Sequence, residues 1–290
     1  MARVLASAPW NLEISARGGG EALVFISHEY KAIFVHIQRT GGNSIQKVFE
    51  EHDPGLIETI PIDSSKNRTK HCFISDIEAA VDGAVFRDYT KFCVVRNPFE
   101  RMVSWYFHFK DDENKEDQGV KLTEASRALD LYHRGLKIVG RSKALSDAYT
   151  NLWVRLFQAL KPGSAEEVAL RFEMIGRRAI SEVNKNASNF EEFVRLPRQY
   201  EGGIFERLYA NQIDYISRDG QVVADKILRF ETLSQDFEAL AAEIGFPGRL
   251  PHVNASSRNK QSYREYYDPG TRESISRRFE RDCDYFGYTF

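Results

Sequence analysis

The residues of this chain that could do chemistry are concentrated in a short turn rich in glycine and in hydrogen-bond donors. The turn consists of Arg39, Thr40, Gly41, Gly42, Asn43 and Ser44. Glycines let a backbone approach a ligand closely, and the N–H groups at the start of a helix point toward it. Hydroxyl and amide groups add donors, and an arginine adds a permanent charge that can fork onto phosphate or sulfate oxygens. The turn is therefore predicted to bind an anion.

A strand before this turn and a helix after it are needed to present it to a ligand. Residues 32–37 are mostly apolar and rich in β-branched and aromatic side chains, which indicates a buried strand. Ile45, Val48 and Phe49 share one face at helical spacing, which indicates a helix that begins in the turn. An ordinary strand-to-helix turn is the simpler alternative, because paired glycines are common there. The turn lacks Gly-Lys-Ser/Thr, so it is not the Walker A motif of Mg-nucleotide hydrolases.

A second unit of the same kind lies further along the chain. Residues 92–95 are all apolar and predict a central parallel strand, with Arg96 at its carboxyl end. Pro98 favours the start of a helix, and Ser104 lies on the first turns of that helix. Ligands of open α/β sheets bind outside the carboxyl ends of the strands, so Arg96 and Ser104 are candidates for holding a second anion. When each residue is considered alone, an ion pair explains Arg96 better than anion binding does, and a polar helix face explains Ser104 better.

His71 is the candidate general base. It lies on a loop just before a predicted helix, for which Ser75 and Glu78 have the spacing of a capping box. A loop histidine can take a proton because its ordinary pKa is near neutrality. An exposed or capping histidine is the simpler alternative, and with seven histidines in the chain one of them carries little weight by itself.

The composition describes an ordinary globular protein with a local site. Its 290 residues are 42% hydrophobic and 28% charged, which suits one large α/β domain. The formal net charge of −2 provides no basic field, so a nucleic-acid partner is not expected and any anion site is local. Cys72, Cys93 and Cys283 are odd in number and widely spread, which indicates reduced thiols. No apolar run is long enough for a membrane span, and no His/Cys cluster suggests a metal.

The chain is predicted to form one domain. Residues 1–22 are interpreted as a loose N-terminal extension, whereas residues 23–290 alternate strands with helices. A helical insertion is expected at about residues 111–200. Within it, Leu152 and Leu156 belong to an apolar stripe at helical spacing, which we assign to the core.

Several segments resemble those of the sulfotransferases. Residues 34–44 resemble the loop that binds the 5′-phosphosulfate in that family, and residues 92–106 resemble the strand and helix that bind the 3′-phosphate. The Lys70-His71 segment, residues 228–233 and the loop at 254–263 are similar to the membrane-type carbohydrate branch, to which heparan sulfate 2-O-sulfotransferase belongs.

The resemblance covers residues 23–290 and implies a fold and a cofactor. The fold is α/β, with a P-loop nucleotide-kinase-like central parallel sheet flanked by helices. The cofactor is 3′-phosphoadenosine 5′-phosphosulfate (PAPS), which leaves as adenosine 3′,5′-bisphosphate (PAP). Matched by position, the residues that hold the 5′-phosphosulfate are Arg39, Thr40, Gly41, Gly42, Asn43 and Ser44. Arg96 and Ser104 hold the 3′-phosphate, and Arg258 helps to close the site.

The predicted reaction moves a sulfuryl group in line from PAPS to an acceptor hydroxyl of a carbohydrate or glycolipid. His71 takes the hydroxyl proton, and Arg39 stabilises the leaving 5′-phosphate, so no metal is required. Gln38 and Arg39 stand where the family usually has proline and lysine. Both are interpreted as tolerated variants, since arginine keeps the charge. Transfer to a small-molecule alcohol, a P-loop-type kinase and a non-catalytic PAP-binding protein are the alternatives, and a cytoplasmic, bacterial location is expected.

Overall fold

A five-stranded sheet with helices on both faces forms the centre of the molecule. The computed structural model describes residues 20–53, 55–62, 71–114, 131–132, 134–136, 138–139, 143–160, 180, 183–196, 208–250 and 262–290. The strands are β1 (Gly20–Ser27), β2 (Ala32–Val35), β3 (Ile57–Ile62), β4 (Thr90–Val95) and β7 (Lys226–Arg229), and the hairpin strands β5 (Ser217–Arg218) and β6 (Gln221–Val222) pair separately. The helices are α1 (Gly42–His52), α2 (Ile74–Ala80), α3 (Gly83–Asp88), α4 (Pro98–Asn114), α5 (Lys143–Leu160), α6 (Phe190–Arg195), α7 (Gln212–Ile216), α8 (Leu233–Ile244), α9 (Pro269–Arg278) and α10 (Glu280–Phe286).

The sheet is parallel where the site is built and antiparallel beyond it. Its strand order is β3-β1-β2-β4-β7. β2 pairs parallel with β4, and β4 pairs parallel with β7, whereas β1 is antiparallel to both β2 and β3. The α/β fold with a central parallel portion is therefore confirmed, and the antiparallel strands β1 and β3 extend that portion on one side.

The apolar run of β4 is explained by burial on both faces of the sheet. Cys93 and Val95 pack in the cluster that includes side chains of α2, α7 and α10. Phe92 and Val94 point to the other face, where they pack in the cluster that includes side chains of α1 and α8. All four side chains are 0–1% exposed. A strand covered on both sides has no polar face, so its sequence does not alternate.

Two local predictions are wrong. The helix α2 begins at Ile74, and Asp76 Oδ2 accepts a hydrogen bond from the N–H of Phe73 at 3.2 Å, so the cap is not at Ser75. On α5, Leu152 and Leu156 are not core residues, because they are 64% and 47% exposed. The apolar residues do lie at helical spacing, but this periodicity does not show which face of the helix packs against the rest of the protein.

The predicted division of the chain stays a prediction. The strand β1 begins at Gly20, and residues 1–19 lie outside the described residues. Three expectations stay predictions, namely the extension at residues 1–22, the single domain at residues 23–290 and the helical insertion at about 111–200. Within the described ranges, no helix combines the length and the apolar composition needed to cross a membrane.

Candidate functional site

The candidate site lies at the carboxyl ends of three neighbouring parallel strands. Val35 of β2 pairs with Cys93 of β4, and Val95 of β4 pairs with Arg229 of β7. The chain therefore leaves β2, β4 and β7 at the same edge of the sheet, which is where open α/β sheets bind ligands. Residues 37–44, which follow β2 and which we call the anion loop, lie at this edge.

The start of α1 suits an anion. Gly41 precedes the helix with a φ of 88°, a left-handed conformation that favours glycine. Gly41 offers no side chain to cap this end, and the first turn contains no acidic residue. The first N–H groups of a helix have no partner within the helix, and the helix dipole makes this end positive. The positive end of α1 is therefore not neutralised by a carboxylate of the helix itself.

Three successive carbonyl groups of the anion loop accept hydrogen bonds from side chains. Ile37 O accepts from Thr40 Oγ1 at 2.9 Å, Gln38 O from Arg101 Nε at 3.0 Å, and Arg39 O from Arg96 Nη1 at 3.3 Å. These contacts turn the oxygen side of the loop toward the protein. The Thr40 hydroxyl is fully buried and committed to the loop, so the predicted contact of Thr40 with an anion would involve its backbone N–H.

The second glycine of the loop is required by a buried histidine. A β-carbon at Gly42 would lie 2.4 Å from Cδ2 and Nε2 of His36 and 3.0 Å from Cζ of Phe34. His36 is 3% exposed, and its ring stacks on that of Phe34 with 5.2 Å between the centroids. Both rings are held within the core, so they have little room to give way to a methyl group.

Gly42→Ala is expected to lower the free energy of unfolding by about 1–3 kcal/mol, the usual effect of forcing an extra carbon into a packed interior. Urea denaturation of the purified variant measures this change. Gly83→Ala is the matched control, because nothing lies within 4 Å of a β-carbon at that position, and its midpoint should not fall. A wild-type midpoint for Gly42→Ala would contradict the packing of His36 against the loop.

Arg39 links the anion loop to helix α4. Its Nε and Nη2 groups donate to Ser104 Oγ at 3.2 and 3.0 Å. Two residues predicted to bind opposite ends of one ligand are thus in direct contact. Arg39 also has a φ of 65°, a left-handed conformation that a residue with a β-carbon rarely adopts. Such a conformation persists when its surroundings hold it in place, and it is found most often at functional sites.

Arg96 is held by contacts on several sides. Its Nη2 forms an ion pair with Glu100 Oε1 at 2.8 Å, and its guanidinium carbon lies 4.0 Å from the centre of the Phe230 ring. The Gln212 amide pairs with its backbone, since Oε1 accepts from the Arg96 N–H at 2.9 Å and Nε2 donates to the Arg96 carbonyl at 2.8 Å. The ion pair that was the simpler explanation of Arg96 is present, and the same guanidinium also contacts the anion loop.

His71 lies against His36, the residue that precedes the anion loop. Its Nδ1 is 2.9 Å from the carbonyl oxygen of His36, and the two imidazole centroids are 4.6 Å apart. A carbonyl oxygen can only accept, so Nδ1 carries the proton in this contact. In the neutral ring, Nε2 then has the lone pair and is the atom able to take a proton.

The sequence located most of this site but not all of it. Arg39 contacts both Arg96 and Ser104, and His71 contacts His36 just before the anion loop, whereas Arg258 lies outside the described residues. Asn43 is exposed, and Ser44 is half-buried at the first turn of α1. The binding and catalytic roles of all these residues stay predictions.

Three residues of the site edge were missed by the sequence reasoning, namely Arg101, Gln212 and Phe230. Arg101 precedes the apolar residue Trp105 by four positions, so helical spacing could have put it on a buried face. Gln212 is 116 residues from its partner Arg96 and gives no local signal. Phe230 lies in the segment at residues 228–233 that resembles the family, but a phenylalanine by itself predicts only a position in the hydrophobic core.

Comparison with known proteins identifies the family. The family model described as "Sulfotransferase family" matches residues 23–289, which include both strand–loop–helix units of the site. A search of curated proteins and a search of solved structures each gave no match. The family match supports sulfuryl transfer in general and does not select the heparan sulfate 2-O branch or any other branch. With its match extending over nearly the whole sequence, this chain belongs to the sulfotransferase family.

Proposed function

We propose that this protein transfers a sulfuryl group from PAPS to a hydroxyl group of a carbohydrate or glycolipid. The observation that carries the proposal is a set of three contacts at one edge of the sheet. Arg39 of the anion loop contacts Ser104, Arg96 contacts the carbonyl of Arg39, and His71 contacts the carbonyl of His36. An anion site with two separate arginines and an adjacent histidine suits a nucleotide with phosphates at both ends and an acceptor that must lose a proton.

The residues present fit PAPS at both ends. The 5′-phosphosulfate suits the uncapped start of α1, where Gly41 and Gly42 allow a close approach and Arg39 adds charge. The 3′-phosphate suits Arg96 and Ser104, which lie within contact of the loop but on the β4–α4 unit. When bound, PAPS supplies the sulfuryl group, whose bond to the 5′-phosphate oxygen breaks as the acceptor oxygen bonds to sulfur.

His71 and Arg39 have distinct chemical roles in this proposal. His71 Nε2 takes the proton of the acceptor hydroxyl, while its Nδ1 keeps the hydrogen bond to His36 that orients the ring. Arg39 stabilises the negative charge that develops on the departing phosphate oxygen, together with the N–H groups of the anion loop. The arginine cannot donate its proton outright, and none is needed because the phosphate leaves as a stable anion.

Calorimetric titration with PAP tests the proposal directly. We expect saturable binding, and an absence of heat at high micromolar PAP would contradict it. A thermal-shift comparison of PAP with Mg-ATP separates the sulfotransferase from a P-loop-type kinase, which should respond to Mg-ATP. Transfer of labelled sulfate to a panel of sugars and small alcohols then identifies the acceptor, and any detectable transfer excludes a non-catalytic binding protein.

Arg96→Ala is expected to weaken PAP binding by about 10- to 150-fold, the effect of losing a charged contact worth about 1.5–3 kcal/mol. The same titration measures it. Arg195→Ala is the matched control, because Arg195 forms an ion pair of the same i, i+4 type with Glu191 on α6. An unchanged dissociation constant for Arg96→Ala, with the control also unchanged, would rule out Arg96 as a phosphate ligand.

A further inference from the structure

We infer that Arg101 is a positioning residue that holds the 5′ half of the site in its binding conformation. The inference rests on the proposed function, since the anion loop must bind the 5′ end of the nucleotide. It concerns a buried side chain that contacts the anion loop through the backbone carbonyl of Gln38.

Arg101 is a cation in the interior. Its side chain is 1% exposed, and it donates from Nε to Gln38 O at 3.0 Å and from Nη1 to Ala210 O at 3.2 Å. Burial lowers the pKa of its guanidinium, while nearby Tyr215 and Asp282 raise it. Arginine begins from so high a pKa that it stays charged at neutral pH. A buried charge is costly unless it is well hydrogen-bonded, so its two carbonyl contacts are not incidental.

The contact with Gln38 fixes the direction of a whole peptide group. The peptide bond is planar, so the carbonyl of Gln38 and the N–H of Arg39 point in opposite directions. With the Gln38 oxygen bound to Arg101, the Arg39 N–H points away from the protein side of the loop. Arg96 fixes the next peptide in the same way through the carbonyl of Arg39.

Two arginines therefore hold the peptide groups on both sides of Arg39, which explains how this residue keeps a φ of 65°. A left-handed conformation is unfavourable for a residue with a β-carbon, and it relaxes when its supports are removed. Loss of the Arg101 side chain frees the peptide between Gln38 and Arg39 to rotate. The Arg96 and Ser104 side chains, which suit the 3′-phosphate, have supports besides Arg39, because Arg96 is held by Glu100 and the Phe230 ring and Ser104 lies on α4.

The test compares two nucleotides that differ at the 5′ end. PAP carries both phosphates, whereas adenosine 3′-monophosphate lacks the 5′-phosphate. For Arg101→Met, we expect PAP binding to weaken about tenfold or more, with adenosine 3′-monophosphate binding within about twofold of wild type. Arg101→Lys should show the same selective loss, because an ammonium group cannot reproduce the fork that reaches both carbonyls. Calorimetry of the wild type and the two variants with each nucleotide gives the dissociation constants to be compared.

Arg278→Met is the matched control. Arg278 also donates to a backbone carbonyl, that of Val194 at 2.9 Å, and lies 4.5 Å from the Tyr209 ring, but it does not touch the anion loop. It should leave binding of both nucleotides unchanged. If Arg101→Met does not fold, Arg101→Lys carries the test alone.

Two results would overturn the inference. One is unchanged PAP binding by Arg101→Lys, and the other is an equal loss for both nucleotides, which would indicate general loosening of the fold. A wild-type protein that binds neither nucleotide overturns the proposed function and this inference with it. Wild-type binding of PAP, with no selective loss in the variants, overturns the role of Arg101 alone.

Discussion

His71→Ala is expected to lower kcat by about 10²–10⁴-fold while PAP affinity stays within about twofold of wild type. The reason is that Nδ1 of His71 is hydrogen-bonded to the His36 carbonyl, so Nε2 is the atom that takes the acceptor proton. Removing the ring removes the base but none of the groups that suit the phosphates. Steady-state sulfate transfer at saturating PAPS measures kcat, and calorimetry measures the affinity for PAP.

Two further variants separate the base from a structural contact. His71→Asn keeps an N–H that can reach the His36 carbonyl but has no equivalent of Nε2, so it should lose as much turnover as alanine. His52→Ala is the matched control, since Nδ1 of His52 lies 3.0 Å from a backbone carbonyl at the far end of α1. Turnover close to wild type in both His71 variants would mean that the base is another group, with His36 and His108 the next to test.

Arg39→Gln is expected to lower kcat by about 10²–10³-fold, the usual loss when a donor to a developing negative charge is removed. Arg39→Lys should retain much more activity, because the charge that stabilises the leaving phosphate remains. Glutamine and lysine both carry a β-carbon at the left-handed position, so the backbone strain is common to the two variants. Their difference in kcat therefore reports the charge.

Lys31→Gln is the matched control for this comparison. Lys31 is also a basic residue with a positive φ, 47°. It is exposed and lies before β2, whereas the anion loop lies after β2. The control should behave as wild type. Equal kcat values for Arg39→Gln and Arg39→Lys would contradict a role for the charge and would leave the loop N–H groups as the stabilising donors.

The parts of this molecule that sequence could predict are the parts specified by local patterns. The run at residues 92–95 predicted a central strand because burial on both faces requires an unbroken apolar sequence. Arg96 and the helix that starts at Pro98 follow from the same short stretch. The two strand–loop–helix units could thus be located, and the rule for parallel sheets brought their ends together.

The parts that could not be predicted depend on contacts between distant segments. Nothing near Gln212 indicates that its amide pairs with the backbone of Arg96, 116 residues away. The carbonyl partners of Arg101 are Gln38, 63 residues before it, and Ala210, 109 residues after it, and neither gives a local signal. The exposure of Leu152 depends on which face of α5 meets a partner, which periodicity leaves open.

The turn that follows β4 is supported by residues much later in the sequence, and this affects the order in which contacts of the site can form during folding. The Asn97 side chain donates to the carbonyl of Thr289, 192 residues later. Asp282 accepts from the N–H of Gln212, which in turn pairs with Arg96. A growing chain can pair β2 with β4 well before these partners are synthesised. In vectorial folding, the contacts of Arg96 and Arg101 with the anion loop can therefore form before those of the 3′ half, which need Asp282 and Thr289.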